Sequence, residues 1–178
     1  EKDVQHLADV GHLKRKVKNK QMKNIMRNLI TAAALMFTAF SALFSQHGFE
    51  NRELQELIIK YKPLFAEKID ELKKEGADTL PIGERIEKTA LSFEGAPYKP
   101  KTLEGMGEEF CRFNLEALDC VTLVENSLCM SRILTMENPK IEDFIECLTF
   151  TRYRGGIIDG YPSRLHYTAD WIYDNIKK

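Results

Sequence analysis

A run of 16 residues without a charged side chain, LITAAALMFTAFSALF from Leu29 to Phe44, most constrains how this chain can fold. It follows a strongly basic stretch, residues 14–28, and ends near small residues such as Ser45. This order is typical of a secretory signal peptide, because lysines and arginines stay on the cytoplasmic side while the apolar helix enters the membrane. A permanent span needs about 20 residues. We therefore expect a signal peptide over residues 22–45, with an uncleaved N-terminal anchor as the alternative.

The signal segment divides the chain into an excluded and an exported part. Residues 1–21 begin without a methionine and are interpreted as translated upstream sequence. Residues 46–80 are expected to form an N-terminal helical segment, and residues 81–178 the first part of one domain. We expect a monomer that meets a membrane only through the signal segment.

The charge balance excludes one class of partner. The chain carries 26 basic and 27 acidic groups, a net charge of -1, so no nucleic-acid binding is expected. Apolar residues make up 43% of the chain, which is enough for a globular core.

Apolar side chains recur at helical spacing along most of the exported part. The stretches with this pattern are residues 52–75, 82–93, 120–134, 140–153 and 166–178. Pro63 is expected either to kink the first helix or to divide it into two. Residues 95–107 are rich in glycine and proline and are predicted to be a loop, and residues 154–164 are predicted to be a loop or a short strand with turns.

The four cysteines, Cys111, Cys120, Cys129 and Cys147, allow several kinds of site. Nine residues of one helix advance it by about 13 Å, whereas a disulfide needs Cα atoms within about 7 Å, so a Cys120–Cys129 bridge is excluded. Bridges from Cys147 to Cys111 or Cys129 stay open. No short ligand spacing of the C-x2-C kind occurs, so neither a metal nor another cofactor is expected. Cys129 and Cys147 are predicted to be small buried thiols.

Cys120 differs from the other cysteines because it lies at a predicted helix start. Asp119 is a favourable N-cap, although Thr122 and Glu125 could form an overlapping capping box that moves the start by a residue or two. In either case the thiol lies in the first turn, where the helix dipole and free amides favour a thiolate and can stabilise an oxyanion.

Three stretches, GAPY, LDCVTLVEN and TRYRGGIIDGYPSRLHYTADWIYDN, together resemble the N-acetylmuramoyl-L-alanine amidase-like family of NlpC-type cell-wall cysteine hydrolases. The resemblance covers roughly residues 82–175. It implies an α+β, papain-like NlpC-type fold, of which this chain would hold mainly the helical half, with the catalytic sheet largely absent. Residues 81–178 would then be the N-terminal half of the amidase domain, in the periplasm or cell envelope of a bacterium.

The resemblance also implies an activity, hydrolysis of the amide between N-acetylmuramic acid and L-alanine in peptidoglycan fragments, with anhydromuropeptides as a favoured form. Cys120 matches the nucleophile, and Tyr98 matches the tyrosine whose hydroxyl lies beside it. The family's base is expected beyond Lys178, so the 178-residue chain by itself is expected to be inactive.

The expected substrate-binding residues lie at the two ends of the predicted loop 154–164 or just beyond it: Tyr153, Arg154, Arg164, His166 and Tyr167. Arginines suit the carboxylates of muropeptides and aromatic rings suit sugar faces. His166 could instead be the base or a structural residue. Two other functions stay open: a D-glutamyl-diaminopimelate endopeptidase, and a peptidoglycan-binding domain without catalysis.

Overall fold

A computed structural model describes residues 51–178 of the chain. These residues contain five α-helices: α1 (Arg52–Lys74), α2 (Ile82–Leu91), α3 (Cys120–Ile133), α4 (Ile141–Arg152) and α5 (Thr168–Asn175). Short 3-10 turns occur at Ala77–Thr79, Arg154–Gly156 and Tyr161–Ser163. The predicted upstream segment (1–21) and signal peptide (22–45) lie outside the described residues.

Helix α1 is continuous and holds Pro63 within it, so the predicted division into two helices does not occur. The Asn51 side chain caps its start by accepting a hydrogen bond from the Leu54 amide at 3.2 Å. Gly76, with φ of 72°, allows the chain to leave the helix in the left-handed conformation. One face of α1 is buried, through Leu54, Ile58, Tyr61, Phe65, Ile69 and Leu72.

Aromatic rings join α1 to α4 at the centre of the core. The ring of Phe65 in α1 lies 5.8 Å from that of Phe144 in α4. Phe113, from the segment before α3, lies 5.5 Å from the ring of Tyr61 and 5.9 Å from that of Phe144. Such offset and edge-on contacts add to the stabilisation from burial, so these four rings fix α1 and α4 relative to each other.

Helix α2 packs through a polar contact although its sequence is amphipathic. Ile82 and Leu91 are exposed, and Thr89 is its only fully buried residue. The Thr89 hydroxyl accepts a hydrogen bond of 3.0 Å from the Ser131 hydroxyl in α3. Thr89 also donates to the Arg85 carbonyl within α2, so its hydroxyl is used as both donor and acceptor.

The predicted α+β, papain-like NlpC-type fold is wrong for the described residues, which contain helices and turns but no β-strand. Within residues 51–178, extended backbone pairs at only two isolated bridges, Tyr98 with Leu118 and Tyr153 with Arg164. Pro97 lacks the amide that would lengthen the first bridge towards its N-terminal side. The positive φ angles at residues 155 and 156 turn the chain away after the second. The view of these helices as half of a papain-like fold therefore gains no support.

Candidate functional site

The start of α3 presents Cys120 to solvent as the first residue of the helix. The Asp119 carboxylate accepts a 2.8 Å hydrogen bond from the Thr122 amide, and the Thr122 hydroxyl accepts one of 2.8 Å from the Asp119 amide. This reciprocal capping box confirms the predicted helix start. The alternative box, with Glu125, does not form. Fixing Asp119 and Thr122 fixes the backbone that carries the thiol between them.

The two amides that follow Asp119 remain open for a ligand. Within the described residues, the amides of Cys120 and Val121 make no hydrogen bond. The next amide, that of Thr122, is already used by Asp119. Free amides at a helix start carry the positive end of the helix dipole, so this place can stabilise a thiolate or an oxyanion.

The loop that carries Tyr98 lies beside the segment that leads into α3. The Lys99 amide donates to the Leu118 carbonyl at 3.0 Å, and the Leu118 amide donates to the Pro97 carbonyl at 3.1 Å. Tyr98 is thereby held next to a residue only two positions before Cys120. Its side chain is 72% exposed. Its hydroxyl has no hydrogen-bond partner among the described residues, so the hydroxyl is free to meet a ligand.

The first two turns of helix α3 have an unusual distribution of side chains, with valines exposed and polar residues buried. Val121 and Val124, just after the capped start, are 51% and 54% exposed. Glu125, Asn126 and Ser127, in contrast, are buried. The surface beside the Cys120 thiol is therefore apolar, and the polar face of the helix is directed into the protein.

A buried network that the sequence analysis missed fixes this polar face. The Nε of Arg152 in α4 lies 2.8 Å from Glu125 Oε2, and both side chains are 2% exposed. The Trp171 indole in α5 donates to Glu125 Oε1 at 3.2 Å. Arg152 also donates to the Arg112 carbonyl. The Glu125 carboxylate thus joins three helices. The sequence signal for it was that Glu125 is the one charged residue between Cys120 and Ser131.

Two of the predicted substrate-binding residues, Tyr153 and Arg164, are buried in a second network. The Tyr153 hydroxyl lies 2.6 Å from Glu109 Oε1, and Arg164 Nη2 lies 2.6 Å from the same oxygen. Burial, reinforced by the nearby Cys111 thiol and by Glu109, raises the pKa of Tyr153. The Leu165 amide bonds to the Arg152 carbonyl at 2.9 Å, which brings both networks together. The polar atoms of Tyr153 and Arg164 already have partners inside the protein. Substrate binding by this pair stays a prediction.

The other predicted substrate-binding residues, Arg154, His166 and Tyr167, are exposed. Arg154 Nη2 lies 3.5 Å from Asp170 Oδ2, a weak surface pair. His166 Nε2 lies 3.2 Å from the Tyr161 carbonyl oxygen, and the two rings are 4.5 Å apart. Tyr167 occupies the N-cap position of α5. These side chains are available to a ligand, and none of them makes a hydrogen bond to Cys120.

No group of three or more His, Cys, Asp or Glu side chains within residues 51–178 could hold a metal ion. Among the helices of the same residues, none is long and apolar enough to cross a membrane. The predicted signal segment lies outside the described residues.

Two solved structures illustrate what the chain is similar to. An N-acetylmuramoyl-L-alanine amidase from Bacteroides uniformis is 38% identical, over 54% of this chain and 40% of its own, with a TM-score of 0.49. A Legionella pneumophila protein of the family DUF1460 is 26% identical, over 69% of this chain and 38% of its own, with a TM-score of 0.50. The chain therefore spans well under half the length of these structures. Neither is described as NlpC-type. No curated protein matches the chain significantly.

The family comparison covers the candidate site itself. The model of the AmiA-like family, described as N-acetylmuramoyl-L-alanine amidase-like, matches residues 88–178, which include the Tyr98 loop, Cys120 and helices α3 to α5. The match extends over more than half of the 178 residues. The chain belongs to the N-acetylmuramoyl-L-alanine amidase-like family.

Proposed function

We propose that this protein is an exported cysteine amidase that hydrolyses the N-acetylmuramoyl-L-alanine amide of peptidoglycan fragments. The observation that carries the proposal is the exposed thiol of Cys120 at the first residue of α3, within the residues matched by the amidase-like family. A thiol placed there has two features that acyl transfer needs, exposure to a substrate and nearby amide donors for the oxyanion.

The proposed reaction proceeds through an acyl-enzyme. The Cys120 thiolate attacks the carbonyl carbon of the muramyl group, and the electron pair of the C=O bond moves to oxygen. The amides of Cys120 and Val121 donate to that oxyanion, with the Tyr98 hydroxyl as a further donor. The C–N bond then breaks, the peptide leaves with a proton as a free amine, and water hydrolyses the thioester to regenerate the thiol.

The helices around Cys120 hold the nucleophile in position. The Asp119–Thr122 capping box holds the first turn of α3, and the Glu125–Arg152 ion pair holds the next turn against α4. A nucleophile carried by such a fixed backbone loses less entropy when the substrate binds. The Cys120 thiol has no hydrogen-bond partner among residues 51–178. We therefore assign the general base to no residue in this range.

The assay is incubation of the protein, extended past Lys178 to include the expected base, with a muramyl tripeptide that contains L-alanine, D-glutamate and diaminopimelate, followed by mass analysis of the products. The 178-residue chain alone is expected to give no product. We expect release of the intact tripeptide, and at least a 10³-fold lower rate for Cys120→Ala, since the acyl-enzyme cannot form. Cys147→Ser, at a half-buried cysteine in α4, is the matched control and should retain activity.

Each other outcome has a defined meaning. A cut between D-glutamate and diaminopimelate would replace the amidase assignment by the endopeptidase. Binding of the muramyl tripeptide without any product would support the peptidoglycan-binding domain. Full activity in the Cys120→Ala protein would refute the cysteine mechanism.

A further inference from the structure

Two cysteines outside the candidate site meet where α3 packs against α4. The thiol of Cys129 in α3 is fully buried and lies 3.5 Å from the Thr151 hydroxyl in α4. Thr151 follows Cys147 by one helical turn, so both residues lie on the same face of α4, the face that meets Cys129. The two thiols also lie close enough to shift each other's pKa. One hydroxyl and two sulfur atoms from facing helices therefore form a single cluster.

The spacing of packed helices suits a covalent bond at this place. Helix axes in contact lie about 8–10 Å apart and each Cα lies about 2.3 Å from its axis, so Cα atoms that face each other directly are separated by about 3–5 Å, and those slightly to the side by a little more. Disulfides usually join Cα atoms about 4.4–6.8 Å apart. Thiols in contact across such an interface need little backbone movement to be joined.

The two thiols differ in access and in acidity. Cys147 is only half-buried, in contrast to the buried thiol that was predicted, whereas Cys129 is buried as predicted. The neighbouring Cys129 thiol, together with the guanidinium of Arg132, lowers the pKa of the Cys147 thiol to about 7. Burial raises the pKa of Cys129. Cys147 is thus suited to react first with an external reagent, and Cys129 to react second.

We propose that Cys129 and Cys147 are a redox pair that closes to an intramolecular disulfide between α3 and α4 on exposure to a disulfide oxidant. The Cys147 thiolate attacks one sulfur of the oxidant RSSR, which forms a mixed disulfide and releases RS⁻. Cys129, after losing its proton, attacks the Cys147 sulfur and releases the second RS⁻. Two protein thiols are oxidised, RSSR is reduced to two RSH, and two protons pass to the released thiolates.

The other cysteines are unsuited to the second step. Cys120 precedes Cys129 by nine residues in the same helix, about 13 Å along its axis, and lies at the exposed end of α3. Cys111 is buried, with its sulfur 3.8 Å from an Arg152 nitrogen. Neither shares the contact between Cys129 and Cys147.

The test is treatment of the reduced, full-length protein with oxidised glutathione, then alkylation of the remaining thiols and peptide mass mapping. We expect a peptide pair joined through Cys129 and Cys147, two fewer alkylated cysteines, and a higher thermal midpoint than that of the reduced protein. Cys129→Ser should stop at the glutathione adduct on Cys147. Cys120→Ser, the matched control, should form the bridge at the wild-type rate.

Two further variants keep the test decisive. If Cys129→Ser does not fold, Cys129→Ala, which avoids burying a hydroxyl, should give the same trapped adduct. Arg132→Gln should slow bridge formation at pH 7 without preventing it, because less Cys147 is then thiolate. A wild-type protein that keeps a glutathione adduct on Cys147, or that joins Cys147 to Cys111, would overturn the proposal.

Discussion

Replacement of Glu125 by glutamine tests whether the buried ion pair holds the three helices around the candidate site. The substitution keeps the side-chain shape and an oxygen that can accept from the Trp171 indole, which donates to Glu125 at 3.2 Å. It removes the negative charge that faces Arg152, while the guanidinium remains buried. The change therefore isolates the ion pair from packing.

The expected cost follows from the burial of both partners. Each side chain of the Glu125–Arg152 pair is 2% exposed and the atoms are 2.8 Å apart. Removing one partner of such a pair typically costs about 3–5 kcal/mol, because the other charge is left uncompensated in a region of low dielectric constant. Arg152 Nη2 already lacks a partner among the described residues, so the remaining guanidinium has few ways to recover hydrogen bonds. Since domains are usually stable by about 5–15 kcal/mol, the loss is a large share of the total.

The assay is urea unfolding followed by circular dichroism, with the free energy of unfolding from linear extrapolation. Glu56→Gln is the control, because its pair with Arg52 is exposed and should contribute less than about 1 kcal/mol. The double variant Glu125→Leu/Arg152→Met removes both charges and should lie within about 2 kcal/mol of wild type. A loss below about 1 kcal/mol for Glu125→Gln, or a double variant less stable than Glu125→Gln, would refute the reasoning.

Asp119→Ala removes the α3 cap and should lower the free energy of unfolding by about 1 kcal/mol, because the Thr122 amide loses its partner. Urea unfolding measures this loss, and Glu146→Ala, at an exposed position of α4, serves as the control. Gly156→Ala should destabilise by about 1–3 kcal/mol, because φ is 75° and the new Cβ would lie 2.9 Å from Phe150 Cδ2. For comparison, Gly83→Ala in α2 meets no atom within 4 Å and should be neutral or stabilising. Unchanged stability in Asp119→Ala or Gly156→Ala would contradict the corresponding argument.

Local sequence chemistry determined where the helices begin and end. Asp119 and Thr122 can satisfy each other's amides within one turn, so the start of α3 could be read without any knowledge of the fold. The same holds for the end of α1 at Gly76, where only the backbone conformation matters. The motif around Cys120 was likewise sufficient to indicate the family that the comparison shows.

Tertiary structure alone decided which side chains are buried. The sequence offers Tyr153 and Arg164 as polar residues of a loop, yet both are buried because Glu109, more than 40 positions away, supplies their partner. The burial of polar side chains in the first two turns of α3 also depends on distant residues. Glu125 can be buried because Arg152, in α4, lies opposite it and neutralises its charge. Such pairs join residues distant in the chain and leave no periodic pattern, whereas caps and helix spacing depend on neighbours that the sequence places side by side.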